Sequence, residues 1–131
     1  MTQFTKTILL VDDEDLIVDL AAMVLESGGY RVLKAKHSDE ALLLIHDFQG
    51  PVHLLLTDVK IDPFMSGCEL AKCMRMLRPQ MQVLYISGYL NNHVVQQEVE
   101  HMRANFLAKP FTPKDLLAAV NAIFATTQKS Q

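Results

Sequence analysis

The sequence contains few of the residues that build specialised scaffolds. Among 131 residues there is no tryptophan, and there are only two cysteines, five glycines and five prolines. Cys68 and Cys73 are too few for a disulfide framework, and their spacing is not that of a zinc knuckle. With 50% hydrophobic residues and a formal net charge of -3, the composition also excludes a disordered chain. We therefore expect one folded domain with its own core.

Long apolar runs and an excess of basic residues are missing as well. No run approaches the roughly 18 apolar residues that a membrane span needs, and the start, MTQFTKTILLVDDED, lacks the charged head and cleavage site of a signal peptide. Twelve Lys and Arg against 15 Asp and Glu leave no basic stripe for direct contact with nucleic acid. We expect a cytoplasmic protein without membrane insertion, with one domain over residues 1–126 and a polar tail at 127–131.

Short apolar runs alternate with longer amphipathic stretches along the chain. The apolar runs predict five strands, over residues 8–11, 30–35, 52–57, 83–86 and 105–108. Helical stripes predict five helices, which begin near Asp15, Ser38, Ser66, Asn91 and Thr112. This strict alternation predicts an α/β fold, a doubly wound parallel sheet with helices on both faces.

Local signals mark several helix ends. Ser38 is predicted as the N-cap of the second helix, and Ser66-Gly67-Cys68-Glu69 has the spacing of a capping box. Thr112-Pro113 supplies an N-cap and a proline at the first helical position. The last helix is predicted to run to about Ala125.

Charged and polar side chains follow four of the strands at the point where each strand ends. Asp12 and Asp13 follow the first strand, Asp58 the third, Ser87 the fourth and Lys109 the fifth. In doubly wound sheets the carboxyl ends of the strands meet at one edge, where ligands bind. Carboxylates about 4 Å apart repel by on the order of 4 kcal/mol at an effective dielectric constant of roughly 20. The cluster therefore needs a cation besides Lys109, and a divalent ion such as Mg²⁺ suits carboxylate oxygens.

This set of groups fits phosphoryl transfer to a carboxylate. An aspartate can accept a phosphoryl group as an aspartyl phosphate, and the transfer needs alignment and charge neutralisation more than further chemistry. A metal ion, an ammonium and a hydroxyl give three contacts for three phosphoryl oxygens.

The chain resembles the receiver domain of bacterial two-component response regulators over about residues 5–126. The matching segments are ILLVDDE at 8–14, LLLTDV at 54–59, LYISGY at 84–89 and FLAKPFTPKDLL at 106–117. The resemblance implies a flavodoxin-like sheet of strand order 2-1-3-4-5, similar to that of chemotaxis regulators. It also implies that Asp58 is the phosphoacceptor, and that Asp12 and Asp13 hold Mg²⁺ with Asp58 and the backbone carbonyl of Lys60.

The resemblance implies further roles at the same edge. Ser87 would bind a phosphoryl oxygen, and Lys109 would pair with the acceptor carboxylate and then with the phosphoryl group. The Lys109–Pro110 peptide bond would be cis. Lys60 and Tyr89 occupy positions that tune water access in the family, so we expect them to set the lifetime of the phosphoryl group.

Ser87 and Phe106 occupy the positions of the family's switch pair. Phe106 replaces the commoner tyrosine and lacks its hydroxyl, so packing alone must distinguish its inward and outward rotamers. The surface expected to change on phosphorylation comprises the predicted fourth helix, the fifth strand and the predicted fifth helix, roughly residues 90–125.

The sequence departs from the family after the acceptor. Pro63 and Gly67 lie five and nine residues after Asp58, instead of the usual four and eight, which indicates one inserted residue near Ile61-Asp62. Asp62 is therefore a candidate additional metal ligand. Loss of Mg²⁺ affinity in an Asp62→Ala variant would support that hypothesis, and unchanged affinity would rule it out.

The resemblance implies a histidine kinase or histidine phosphotransfer protein as phosphodonor and a downstream protein as effector. Two segments, LYISGY and FLAKPFTPKDLL, particularly resemble receivers attached to hybrid histidine kinases. One alternative is a haloacid-dehalogenase-type phosphatase, whose D-x-D motif Asp13-Glu14-Asp15 formally matches. Another is a receiver that binds a partner without being phosphorylated.

Overall fold

The structure is a computed structural model that describes residues 5–88 and 105–129, with side chains as far as residue 125. Five strands form one parallel sheet: β1 (Thr7–Val11), β2 (Arg31–Ala35), β3 (Leu54–Asp58), β4 (Gln82–Ser87) and β5 (Asn105–Ala108). Their order is β2-β1-β3-β4-β5. This confirms the predicted doubly wound, flavodoxin-like sheet.

Four helices lie within the described part of the chain: α1 (Asp15–Ser27), α2 (Ser38–Asp47), α3 (Gly67–Leu77) and α4 (Pro113–Lys129). The helix predicted from about Asn91 lies outside the described residues, so α4 corresponds to the fifth helix of the sequence prediction. Within residues 5–88 and 105–129, the helices are too short or too polar to span a lipid bilayer.

The central strands are buried on both faces, because helices of residues 5–88 and 105–129 pack against each face. Ile8 and Leu10 of β1 join a core cluster with residues of α1 and α4. Leu9 and Val11 point the other way and join a cluster with residues of α2 and α3. This two-sided burial explains why the strands are continuous apolar runs rather than alternating ones.

The parallel register brings the strand ends to one rim. Val11 is opposite Thr57, and Asp58 is opposite Ile86. On the next strand pair, Ser87 is opposite Ala108. Side chains that end or follow β1, β3, β4 and β5 therefore lie at the same edge of the sheet.

Two predicted helix starts are confirmed. Ser66 and Glu69 form a reciprocal capping box at α3. At α4, the Thr112 hydroxyl accepts a hydrogen bond from the amide of Asp115, and the Asp115 carboxylate accepts one from the amide of Thr112.

Two predicted boundaries were wrong. His37, not Ser38, is the N-cap of α2, and Ser38 is the first helical residue. The amide of Ser38 donates to the Asp62 carboxylate at 2.8 Å, so a distant side chain satisfies the helix end. The last helix continues to Lys129, because no glycine or proline after Ala125 stops it. Part of the predicted tail is therefore helical, and the domain boundary at 126 stays a prediction.

Gly67 allows α3 to begin directly against the acceptor strand. A Cβ built on Gly67 would lie 2.1 Å from the carbonyl oxygen of Asp58. The amide of Gly67 donates to the carbonyl of Val59 at 2.7 Å. A side chain at this position would therefore push the helix away from the backbone that carries Asp58.

We predict that Gly67→Ala lowers the free energy of unfolding by about 3 kcal/mol, because the added methyl group meets backbone rather than a flexible side chain. Gly29→Ala is the control: Gly29 has φ +95° with no atom within 4 Å of its Cβ position, so only a left-handed strain of about 1 kcal/mol applies. Urea unfolding followed by circular dichroism measures both. Equal losses would contradict the steric account of Gly67.

Candidate functional site

The predicted site residues meet at the rim formed by four strand ends. Asp12 follows β1, Asp58 ends β3, Ser87 ends β4 and Lys109 follows β5. Asp12, Asp58 and Ser87 are buried. The sheet therefore places two carboxylates, a hydroxyl and an ammonium together, although they are distant in sequence.

Lys109 bridges two carboxylates. Its Nζ lies 2.8 Å from Oδ2 of Asp58 and 2.9 Å from Oδ2 of Asp12, with Oε1 of Glu14 at 3.5 Å. The Lys109 side chain is only 15% exposed. Burial opposes its charged form, but the ion pairs with Asp58 and Asp12 outweigh burial and raise the pKa of Lys109. Lys109 is thus a fixed cation at neutral pH.

The backbone also holds Lys109 in place. Its amide donates to the carbonyl of Ser87 at 2.9 Å, which continues the pairing of β5 with β4. The Lys109–Pro110 peptide bond is cis, as the resemblance implies. The ammonium is therefore positioned from a strand end rather than from a free loop.

Asp12 is fully buried, whereas Asp58 is slightly open to the rim. Oδ1 of Asp12 accepts a hydrogen bond from the amide of Glu14 at 2.9 Å. Its Oδ2 is within ion-pair distance of Lys109 but, among the described residues, has no partner with hydrogen-bond geometry. Burial raises the pKa of Asp12, with Glu14 and Lys109 opposing that rise.

Asp58 uses both of its oxygens. Oδ1 accepts a hydrogen bond from the amide of Lys60 at 3.0 Å, and Oδ2 accepts one from Lys109 at 2.8 Å. The Asp58 side chain is 9% exposed. It opens into a cleft of about 500 Å³, whose lining residues are Asp13, Glu14, Asp58, Lys60, Ile61, Asp62 and Pro63. A small reactant can therefore reach the carboxylate from one side.

The carboxylates at this rim fit a divalent cation. One oxygen from each of Asp12, Asp13 and Asp58 lies within 4.8 Å of the others, and Asp13 is exposed to the cleft. Three carboxylates and the Lys109 ammonium leave two negative charges in excess when all are ionised. Oδ2 of Asp12 is buried and, among the described residues, contacts Lys109 without hydrogen-bond geometry, so it has a lone pair to offer. Carboxylate oxygens are the ligands that Mg²⁺ prefers.

For the remaining predicted site residues that lie in the described part of the chain, the structure gives the position and burial. Ser87 is fully buried beside the end of β3. Phe106 lies opposite Tyr85, is half-buried and packs against the α2–α3 core cluster. Lys60 is exposed beside the cleft. Tyr89 lies outside the described residues.

Asp62 has a different environment from the one the sequence suggested. Its Oδ1 accepts hydrogen bonds from the amides of Phe64 and Met65, both at 3.0 Å, and its Oδ2 accepts one from the amide of Ser38 at 2.8 Å. Burial opposes ionisation of Asp62, but these hydrogen bonds outweigh it and lower its pKa. Among the described residues, Asp62 lies outside the acidic group that could share a metal. The sequence indicated Ser38 only as a helix cap. Its hydrogen bond to Asp62 was not predicted, because a backbone amide leaves no signal in a sequence.

A second concavity lies beside the rim. An apolar groove of about 430 Å³ runs between α1 and the segment from Lys109 to Leu116. Its lining includes Ile17, Leu20 and Phe111 along with Lys109. Leu16, Leu20 and Met23 of α1 are exposed by 69%, 51% and 66%. Leu20 is the member of this exposed set that lines the groove, which is called the α1 groove below. The α1 groove therefore borders the rim with an accessible apolar surface.

Curated relatives of this chain are signalling proteins. The chain is 32% identical over 116 residues to the sensor kinase CckA of Brucella abortus, covering 88% of this chain and 12% of the kinase. It is 34% identical over 128 residues to the phosphate regulon transcriptional regulatory protein PhoB of Pseudomonas aeruginosa, covering 93% of this chain and 53% of PhoB. The chain thus spans about half of the regulator and a small part of the kinase.

Solved structures have the same fold over almost the whole chain. A CheY-like response regulator receiver domain protein from Methanospirillum hungatei has a TM-score of 0.86 and 31% identity, covering 98% of this chain and all of that one. The chemotaxis response regulator CheY4 of Vibrio cholerae has a TM-score of 0.80 and 27% identity, covering 92% and 99%.

The family model described as the response regulator receiver domain matches residues 8–121. Receiver domains are signalling modules rather than turnover enzymes, so the phosphatase alternative is set aside. The match contains every described strand-end residue of the site, from Asp12 to Lys109. This chain belongs to the receiver domain family of two-component response regulators.

Proposed function

We propose that this chain is a phosphorelay receiver, which accepts a phosphoryl group on Asp58 from a phosphohistidine in an Mg²⁺-dependent reaction. The observation that carries the proposal is the Lys109 ammonium, held 2.8 Å from Asp58 and 2.9 Å from Asp12 at the rim. This arrangement places a fixed positive charge against the proposed nucleophile and leaves the cleft side of Asp58 open.

In the proposed step, a carboxylate oxygen of Asp58 attacks the phosphorus of the phosphohistidine. A phosphorus–oxygen bond forms, the phosphorus–nitrogen bond breaks, and the donor imidazole leaves with the electron pair. Lys109 and the hydroxyl of Ser87 each bind one equatorial oxygen of the transferred group. Mg²⁺, held by Asp12, Asp13, Asp58 and the backbone carbonyl of Lys60, would neutralise charge on the phosphoryl oxygens.

The phosphoryl group then acts as a switch. It adds close to two negative charges at the rim, and Ser87 and Phe106 respond to them. Because Phe106 has no hydroxyl, its inward position depends on packing beside Tyr85 and the α2–α3 cluster. The surface over roughly residues 90–125 presents the change to a downstream protein effector. Lys60 and Tyr89 set the lifetime of the phosphoryl group.

The phosphodonor is a histidine kinase or a histidine phosphotransfer protein, and we propose that it docks on the α1 groove. Lys109 lines both this groove and the acidic rim, so a helix seated against Ile17 and Leu20 brings its histidine close to Asp58. Similarity to part of a sensor kinase favours this class of donor. The proposal includes a cytoplasmic location, which the low cysteine content favours.

The direct test is incubation with Mg²⁺ and acetyl phosphate, read by intact mass. We expect the wild type to gain one phosphoryl group, and Asp58→Asn or chelation of the metal to abolish the gain. Glu14→Gln, which alters an exposed neighbour of Lys109, is the control and retains the gain. An unmodified wild type would instead favour the interaction-only alternative.

Lys109→Met distinguishes the contribution of the ammonium to phosphorylation from that of the metal. We expect phosphorylation to slow about 100-fold, because a preorganised charge at the phosphoryl oxygens is lost. Mg²⁺ affinity should stay equal or rise, because a cation beside the carboxylates is removed. Lys114→Met, on the exposed surface of α4, should change neither quantity. A rate equal to that of the wild type would contradict the role of Lys109.

Leu20→Asp tests the donor surface. Transfer from purified autophosphorylated histidine kinases of the source organism should slow about 10-fold. This corresponds to the loss of more than about 1 kcal/mol of binding free energy at an interface residue. Phosphorylation by acetyl phosphate, which needs no docking, should be unaffected. Leu43→Asp, at a comparably exposed leucine of α2, is the matched control. Equal slowing by both variants would place the donor elsewhere.

A further inference from the structure

The loop that follows Asp58 is held firmly at its two ends. The amide of Val59 donates to the carbonyl of Ile86 at 3.0 Å, and the amide of Gly67 donates to the carbonyl of Val59 at 2.7 Å. Ile61 is buried in the α2–α3 cluster, which anchors the apolar side of the loop. The polar side carries Lys60 and lines the cleft. The position of this polar side therefore depends on contacts other than those at the two ends of the loop.

Asp62 supplies those contacts. Two of its hydrogen bonds close a turn within the loop, to the amides of Phe64 and Met65. The third, to the amide of Ser38, joins the loop to the first residue of α2. One side chain thus fixes the shape of the loop and its location.

The hydrogen bond between Asp62 and Ser38 stabilises both the start of α2 and the ionised carboxylate. The first amides of a helix have no partner within the helix, and a carboxylate near a helix N-terminus is stabilised by the helix dipole. The N-cap His37 makes no side-chain capping bond, so Asp62 takes over this role from another element. The sequence predicts one inserted residue near Asp62, and closing a longer loop costs more conformational entropy.

We propose that Asp62 and Ser38 are positioning residues for the Mg²⁺ site. Their link holds the loop so that the Lys60 backbone faces the acidic rim, where the Lys60 amide already donates to Asp58. The inference rests on the proposed function, because it concerns the metal that the receiver reaction requires. It replaces the hypothesis that Asp62 itself ligates the ion.

Ser38→Pro isolates the link without changing Asp62. Proline is favoured at the first helical position, and the preceding residue must be extended, as His37 is with φ -133° and ψ 161°. The substitution therefore removes the amide donor while leaving α2 able to form. Asp62→Ala removes the acceptor. Asp39→Ala is the matched charge control, because Asp39 is an exposed residue of the same helical turn and its carboxylate accepts a hydrogen bond from the amide of Glu40.

The experiment measures the Mg²⁺ dissociation constant of each variant of the 131-residue chain by calorimetric titration, together with its thermal unfolding midpoint. Ser38→Pro and Asp62→Ala should each weaken Mg²⁺ binding about 10-fold, the lower end of the range for residues that orient ligands. The double variant should bind no more weakly than Asp62→Ala, because both changes break the same link. Asp39→Ala should bind as the wild type does.

The outcomes separate the possible accounts. If Asp62→Ala weakens binding and Ser38→Pro does not, Asp62 is a ligand and the positioning role is wrong. If neither variant changes the dissociation constant, the loop needs no such link and the inference fails. If the wild type itself binds no Mg²⁺, the proposed function fails, independently of Asp62. Weaker binding in a variant whose unfolding midpoint matches the wild type supports the inference.

Discussion

The ion pairs of Lys109 with Asp12 and Asp58 are the interaction on which this site depends. Both carboxylates are buried at the end of an apolar sheet, where an unpaired charge would cost several kcal/mol. The ammonium offsets part of that cost, and a divalent cation would offset the rest. The need to neutralise buried carboxylates therefore explains why the backbone of Lys109 is fixed against β4 and why the rim suits a metal.

Two kinds of support surround these charges. The sheet places Asp12, Asp58 and Lys109 through strand register, which packing on both faces makes rigid. The loop after Asp58 is instead held by Gly67 against the strand backbone and by the bond between Asp62 and Ser38. The rim and the adjoining loop are therefore held by separate sets of contacts.

The α1 groove and the acidic rim share Lys109, which lies at the boundary between an apolar surface and a charged one. A partner that docks on the apolar surface would thus lie next to the Asp58 carboxylate. On the other side of the sheet, Phe106 packs beside Tyr85. The proposed response to phosphorylation therefore relies on the shape of that cluster rather than on a hydroxyl.

The sequence by itself determined the strand order, through its resemblance to a family, and the residues at the rim, because alternating strands and helices bring strand ends together. It also determined the capping box of α3, which depends on residues three apart. Only the tertiary structure decided how the start of α2 is capped and what the Asp62 carboxylate contacts, because their hydrogen bond joins residues 24 apart through a backbone amide. Local periodicity carries no information about such a contact, whereas the packing of the loop against α2 specifies it.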